Sequence, residues 1–208
     1  MKKTIFISLL YLAAHPAFAG DGRIDIASVD HNVYRHRVLA PAVREKHELY
    51  EIKGCGEKEL REQMTQQGTA WSDGKKYDSV TSWHVTWDYE HDRSLQSCSA
   101  EAFQATAEIT IRYPKWIRTD DAPQELAGKW DAYLASLIEH ETGHRDMVVQ
   151  AVEDLTRAVA HLPAAPTCAD LDRWVRSLCH ERMAKLNDDA KEYDAATIHG
   201  AEQGAVFP

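Results

Sequence analysis

The sequence predicts an α+β fold in which an antiparallel β-sheet, formed by the N-terminal half, packs on two long C-terminal helices. Two observations carry this reading. Apolar residues alternate with polar ones through the middle of the region from about 32 to 116. Beyond Pro114 the apolar spacing becomes helical over two long stretches. Strands that precede helices, instead of alternating with them, separate into layers.

The elements follow in order. Residues 20–31 are polar and read as a loose start. Glu48 to Gly54 is a short strand, followed by a short helix with Leu60 and Met64 one turn apart and Gly68 as its stop. From Tyr77 to Glu90, Thr81, Trp83, Val85, Trp87 and Tyr89 share one face, the pattern of a half-buried strand. Phe103 to Tyr113 repeats it, with Phe103, Ala105, Ala107, Ile109, Ile111 and Tyr113 inward. The two pair as an antiparallel ribbon around the loop at 91–100. Asp121 supplies a cap and Pro123 a first turn for a helix that runs to about Ala160 and stops before Pro163. A second helix starts after Thr167 and runs to Asp189 or beyond, with Leu171, Trp174, Leu178 and Leu186 as its apolar stripe.

Composition is that of a globular domain: 208 residues, 27% charged and 44% hydrophobic. The N-terminus reads as a secretory signal, with Lys2 and Lys3, an apolar run from Thr4 to Ala14, and Ala17-Phe18-Ala19 as a cleavage site. Residues 1–19 are then a signal peptide and 20–208 a single domain. The formal charge of −9 becomes −11 once the two lysines of that segment are lost. An acidic chain is not a nucleic-acid binder by default. No later apolar run has the length of a bilayer span, so no stable membrane insertion is expected after signal cleavage. A bacterial periplasmic or secreted location follows.

Cysteine usage agrees with export. Cys55, Cys98, Cys168 and Cys179 make an even count without a CxxC pair, which favours disulfides over metal thiolates. On one continuous helix Cys168 and Cys179 stand about 16 Å apart at 1.5 Å per residue. A disulfide spans about 7 Å at most. Each is therefore expected to bond to Cys55 or Cys98.

Chemistry concentrates in the first long helix, at His140-Glu141-Thr142-Gly143-His144, an HExxH pattern. Residues four apart lie one turn above each other, so both imidazoles reach one ion. Zn²⁺ takes such nitrogen ligands, and Glu141 lies beside it as a general base. On a helical wheel His140 and His144 share the side of Trp130, Tyr133, Leu137, Val148 and Ala151. Histidines on an apolar face need polar partners or a metal. Gly143 costs about 1 kcal/mol relative to Ala in a helix and makes room beside the ligands.

The extended form with a third histidine is absent, because Met147 and Gln150 stand where Gly and His would be. The third ligand comes from elsewhere, with His199, Glu181, Glu192, Asp189 and Asp194 as candidates. The segment from Tyr193 to Gly200 groups two of them, Asp194 and His199. In it Tyr193 is a candidate oxyanion donor and Asp194 a candidate carboxylate for orienting a ligand histidine. His31, His36, His47, His84 and His180 read as structural or surface residues.

With these motifs the chain resembles a bacterial family of unknown function described as predicted secreted zinc-dependent proteases. The resemblance covers about residues 45–208. Its matching residues include Tyr50, Gly54, Thr81-Ser82-Trp83, Cys98, Tyr113-Pro114-Lys115-Trp116, the HExxH with Arg145, and Pro166-Thr167-Cys168. They continue through Tyr193-Asp194, Thr197, His199-Gly200, Gln203-Gly204-Ala205 and Phe207-Pro208. It implies a zincin-like protein, makes the C-terminal block part of the site, and makes His199 the third ligand. The expected function is that of a secreted zinc metallopeptidase acting on a peptide or protein substrate. The rivals are a non-catalytic zinc-binding envelope protein, a zinc hydrolase of a cell-wall amide, and a metal-free binding domain.

Overall fold

A computed structural model of the chain describes residues 3–5, 39–71, 74–93 and 96–207. Apart from Lys3–Ile5, the expected signal segment, the loose start at 20–31, His31 and His36 lie outside the described residues. Among the described residues ten elements follow one another: β1 (Lys3–Ile5), β2 (Ala42–Lys53), α1 (Glu57–Gln67), β3 (Thr69–Ala70), β4 (Lys76–Tyr77), β5 (Val80–Arg93), β6 (Cys98–Ile117), α2 (Gln124–Ala160), α3 (Cys168–Thr197) and a 3-10 turn, Ala201–Gln203. Three helices, two of them long and C-terminal, stand beside a sheet of order β1-β5-β6-β2 and a small β3-β4 ribbon.

The expected ribbon forms the centre of the sheet. β5 and β6 pair antiparallel from Val80↔Arg112 to Arg93↔Cys98, with a bulge between Asp88 and Glu90. The inward residues of β6 from Phe103 to Tyr113 are all buried, as are Thr81, Val85, Trp87 and Tyr89 of β5; Trp83 is half-buried against the same core. β1 pairs antiparallel along Trp87–Tyr89 of β5.

The sheet is mixed, and so corrects the expectation of an antiparallel one. β2 runs parallel to β6 from Ala42↔Thr106 to Lys53↔Ile117. It is also longer than the Glu48–Gly54 strand, because its first residues, Arg44 to His47, are charged and exposed and carry no alternation. Backbone pairing and rim ion pairs such as Arg44–Glu108 hold that part, and a charged edge resists further strand addition. β6 likewise continues through Pro114 to Ile117. β5 stops opposite Arg112, so on that side no ladder bond is lost at Pro114. Tyr77 belongs to β4 and not to β5, separated by the turn at Asp78 and Ser79.

The helices match their expected extents; the cap of α2 and the buried stripe of α3 differ. Asp121 caps nothing: α2 starts from Pro123 without a side-chain cap, and the first turn bond runs from Ala127 N–H to the Pro123 carbonyl. α3 is capped by Thr167, whose hydroxyl oxygen accepts from the Asp170 N–H, and extends to Thr197. Its buried stripe is Leu171, Val175, Cys179, Met183, Leu186 and Ala190, while Trp174 and Leu178 flank it half-buried.

Cys98 and Cys168 form a disulfide that ties the start of β6 to the first turn of α3. Cys179 is a buried thiol and Cys55 an exposed one. The expectation that Cys179 also bonds is thereby corrected. It faces the apolar core along α3, whereas Cys55 sits before α1 beside Thr119.

Two apolar clusters make the core. One joins β5, β6, the second half of α2 and α3; the other joins β2, α1, the first half of α2 and Phe207. α2 serves both, giving Leu126 to Leu137 to one and Val148 to Val159 to the other. His140, Glu141 and His144 occupy the stretch between them. No helix among the described residues is long and apolar enough to cross a membrane.

Candidate metal centre

The HExxH motif lies in the middle of α2, and all three of its charged positions are buried. Burial of three such groups requires partners. α3 supplies them. Because this helix continues past Asp189, its last turns carry Tyr193, Asp194 and Thr197 against the motif. Asp194 Oδ1 lies 3.0 Å from His144 Nε2 and 3.3 Å from His140 Nε2. The edge of a tetrahedron with 2.0–2.1 Å bonds is about 3.3 Å, so these spacings fit three donors around one zinc ion. His140, His144 and Asp194 form one of two candidate ligand groups among the described residues. Burial favours the neutral acid at Asp194, but hydrogen bonds from His140 and His144 overcome it and hold the carboxyl well below its usual range. Asp194 is thus a carboxylate throughout the neutral range.

His140 is held from behind. Its Nδ1–H donates to Gln203 Oε1 at 2.9 Å, and Gln203 Nε2 donates to the Tyr193 hydroxyl at 3.0 Å. The Tyr193 ring stacks on His140 with centroids 5.0 Å apart and meets His144 edge-on at 5.0 Å. Two glycines permit this approach. A Cβ at Gly143 would lie 2.3 Å from the Tyr193 hydroxyl, and one at Gly200 would lie 3.0 Å from His140 Cγ.

These contacts test whether a metal fits. With its proton on Nδ1 for Gln203, neutral His140 turns the Nε2 lone pair toward the Asp194 carboxylate. Two acceptors then face each other at 3.3 Å. A cation between them resolves this, as does a second proton on the ring; desolvation opposes that proton while the Asp194 and Gln203 hydrogen bonds favour it, and the balance raises the His140 pKa. The donor set, two imidazoles and a carboxylate, suits Zn²⁺.

Glu141 faces the sheet. Its Oε2 accepts from Thr81 Oγ1 of β5 at 2.6 Å. His199 is exposed beside the group: Nδ1 is 3.5 Å from Asp194 Oδ1 and Nε2 is 3.4 Å from the Tyr77 hydroxyl. It stands next to the triad of donors without joining it. Tyr193 has its hydroxyl turned to Gln203 and the His140 carbonyl.

The other candidates lie apart. Glu181 and Glu192 are exposed, and Asp189 pairs with Lys185. His47 is bound to Glu45 on the rim, and His180 is exposed. A second potential ligand group, His91 with Cys98 and Cys168, has its sulfurs joined in the disulfide, and His91 is bound to Asp172. Sequence reasoning did not assign roles to Thr81 and Gln203. Their distances from the motif along the chain, 60 and 63 residues, leave no local signal of either contact.

The fold and site define an α+β protein with a buried HExxH helix and a carboxylate brought to it from a second helix. Residues 47–200 match the family described as bacterial protein of unknown function (DUF922), and the chain belongs to that family. No curated protein and no solved structure matches it.

Proposed function

We propose that this chain is an exported zinc-dependent hydrolase of peptide bonds. The observation that supports it best is the convergence of His140 Nε2, His144 Nε2 and Asp194 Oδ1, with Glu141 on the same helix segment. His140, His144 and Asp194 would hold the ion, and His199 lies beside them. Zinc bound there would supply Lewis acidity, polarising a carbonyl and easing ionisation of a water near neutral pH. Glu141 accepts a proton from the attacking water and returns it to the leaving amine nitrogen. Thr81 fixes the carboxylate that does so. Gln203 keeps His140 in the tautomer whose Nε2 is a ligand. The Cys98–Cys168 disulfide supports an oxidising compartment.

The test is elemental analysis of the protein purified without chelators, with a peptide and protein library as substrate. Wild type and Glu141→Gln are expected to hold one zinc per chain, with cleavage by wild type alone. Asp194→Ala and the His140→Ala/His144→Ala pair are expected to lose the ion. Zinc retained by the double-histidine variant would sink the assignment. Zinc without cleavage in wild type would favour a non-catalytic zinc-binding module.

A further inference from the structure

We propose that His91, Cys98 and Cys168 form a second metal site, taken by Zn²⁺ when the Cys98–Cys168 disulfide is open, so that the tie between β6 and α3 outlasts reduction. The proposal stands apart from the HExxH centre, whose donors include no sulfur.

A bulge brings the sulfurs and the ring together. From Asp88↔Gln104 to Glu90↔Glu101, β6 advances three residues while β5 advances two. Ala102, with φ of 49°, takes up the extra residue. One extra residue reverses the face of everything before it on the strand. Cys98 and Ala100 are therefore buried, where an unbroken alternation back from Phe103 and Ala105 would turn them outward. In the ladder His91 stands opposite Ala100, and Cys98 opposite Arg93, which puts His91 and Cys98 on one face. One ring nitrogen of His91 and the two sulfurs all lie within 4.8 Å of one another. A tetrahedron with two Zn–S bonds and one Zn–N bond has edges of about 3.6–3.8 Å, so a small closure completes the geometry.

Backbone contacts hold the two cysteines together without the cross-link. Cys98 and Ala165 exchange both of their backbone hydrogen bonds, each at 2.8 Å. Thr167 caps α3 immediately before Cys168.

The imidazole is held as well. Asp172 follows Cys168 by one helical turn and faces the same way. Its Oδ1 lies 2.7 Å from His91 Nε2 and accepts from the Tyr89 hydroxyl at 2.7 Å. A carboxylate behind a ligand imidazole fixes the ring and strengthens it as a donor. Two thiolates and an imidazole suit Zn²⁺ and not the hard cations, which take oxygen.

The redox step balances with a dithiol as reductant. The dithiol gives two electrons and two protons to the disulfide and closes its own S–S bond, leaving Cys98 and Cys168 as thiols. When the ion binds, two S–H bonds break, two S–Zn bonds form, and both protons go to solvent.

The test uses Co²⁺ as the probe, added to the full chain either oxidised or reduced by a dithiol that is then removed under argon. Cys55→Ser is the background throughout, so that the exposed thiol takes no part. The reduced protein is expected to show a near-ultraviolet thiolate-to-cobalt charge-transfer band that saturates at one ion per chain, and the oxidised protein none. Cys98→Ser/Cys168→Ser is expected to abolish the band. Asp172→Asn is expected to weaken Co²⁺ binding there by roughly tenfold, and His91→Gln by more, since it removes a ligand and not its support. No band in the folded, reduced protein overturns the proposal. So does a band that survives in the double cysteine variant, or an unchanged affinity in His91→Gln. Should reduction alone unfold the chain, Co²⁺ is expected to restore the circular dichroism of the oxidised protein, and to fail to do so in His91→Gln. Failure to restore it with His91 present, or equal recovery without it, overturns the proposal too.

Discussion

The Tyr193 hydroxyl fills the space that a side chain at Gly143 would need: a Cβ there would come within 2.3 Å of it and 2.7 Å of the ring carbon that bears it. The missing side chain is what lets α3 press a ring flat against His140. Gly143→Ala is thus opposed by two terms. Overpacking costs about 1–3 kcal/mol. Improved helix propensity returns about 1 kcal/mol. The ring is fixed on several sides, so the clash wins, by up to about 2 kcal/mol, or a Tm fall of up to roughly 8 °C for a domain of this size. In a Tyr193→Ala background the same change is expected to stabilise. Thermal unfolding of the four proteins in a double-mutant cycle checks this, and additivity would show that the two residues do not meet.

Thr81 joins the sheet to the motif through its bond to Glu141. Thr81→Val keeps the shape and removes the donor, leaving a buried carboxylate oxygen unpaired. The expected loss is about 1–3 kcal/mol of stability in urea unfolding. Bound zinc should be unchanged, since Thr81 touches no proposed ligand. If the peptidase reading holds, kcat should fall by roughly tenfold or more, because the carboxylate is no longer fixed, and Thr81→Ser should restore most of it. An unaltered stability in Thr81→Val would show that the hydroxyl is not a needed partner.

How much of this was legible beforehand divides along the chain. The β5–β6 ribbon was visible because one face is buried, which imposes an alternation on Thr81 to Tyr89 and Phe103 to Tyr113. α2 was visible with its buried HExxH because its polar residues fall on the axis of its apolar stripe. The first half of β2 was not, since exposed charged residues on an edge carry no period. In the sequence Asp194 is one of several candidate carboxylates and a candidate orienting group. Which carboxylate meets the histidines depends on how α3 is phased against α2, a tertiary quantity that Gly143, Tyr193 and the disulfide set together. Alternation alone makes Tyr77 the start of a long strand, and the turn at Asp78 that detaches it is held by contacts distant in sequence.

The thiols give a reading of the fold that needs no activity. Burial pushes the Cys179 thiol up to about 12, so at pH 8 it is both inaccessible and protonated. Cys55 is exposed. Native protein at pH 8 is expected to take one iodoacetamide, at Cys55. Denaturant without reductant adds Cys179, and reductant in denaturant adds Cys98 and Cys168. Intact mass and peptide mapping count these steps. Labelling of Cys168 before reduction would contradict the disulfide and with it the anchoring of α3 to β6.

Arg61 links the ribbon side of the site to the chain's last turn. One nitrogen of its guanidinium donates to Asp78 Oδ2 at 2.7 Å and another to the Phe207 carbonyl at 3.0 Å, with the Phe207 ring 5.7 Å away. Phe207 in turn packs on Trp130 and Tyr133, at 5.5 and 5.2 Å between centroids. The strap from Gly200 to Phe207 carries Gln203, so its anchoring bears on the orientation of His140. Arg61→Met retains much of the stem's packing and removes both bonds. Asp78 keeps the Tyr133 hydroxyl and partial contact with water, so the cost falls near the low end of about 1–3 kcal/mol. The effect should be concentrated in the strap. Hydrogen exchange at the Gln203 and Ala205 amides, both bonded to the Gly200 carbonyl, is expected to accelerate more than exchange in β5 and β6. On the proposed zinc reading, the ion should dissociate faster from the variant, as Gln203 loses its fixed position. Equal exchange at those two amides in variant and wild type would show that the apolar contacts of Phe207 suffice to hold the strap.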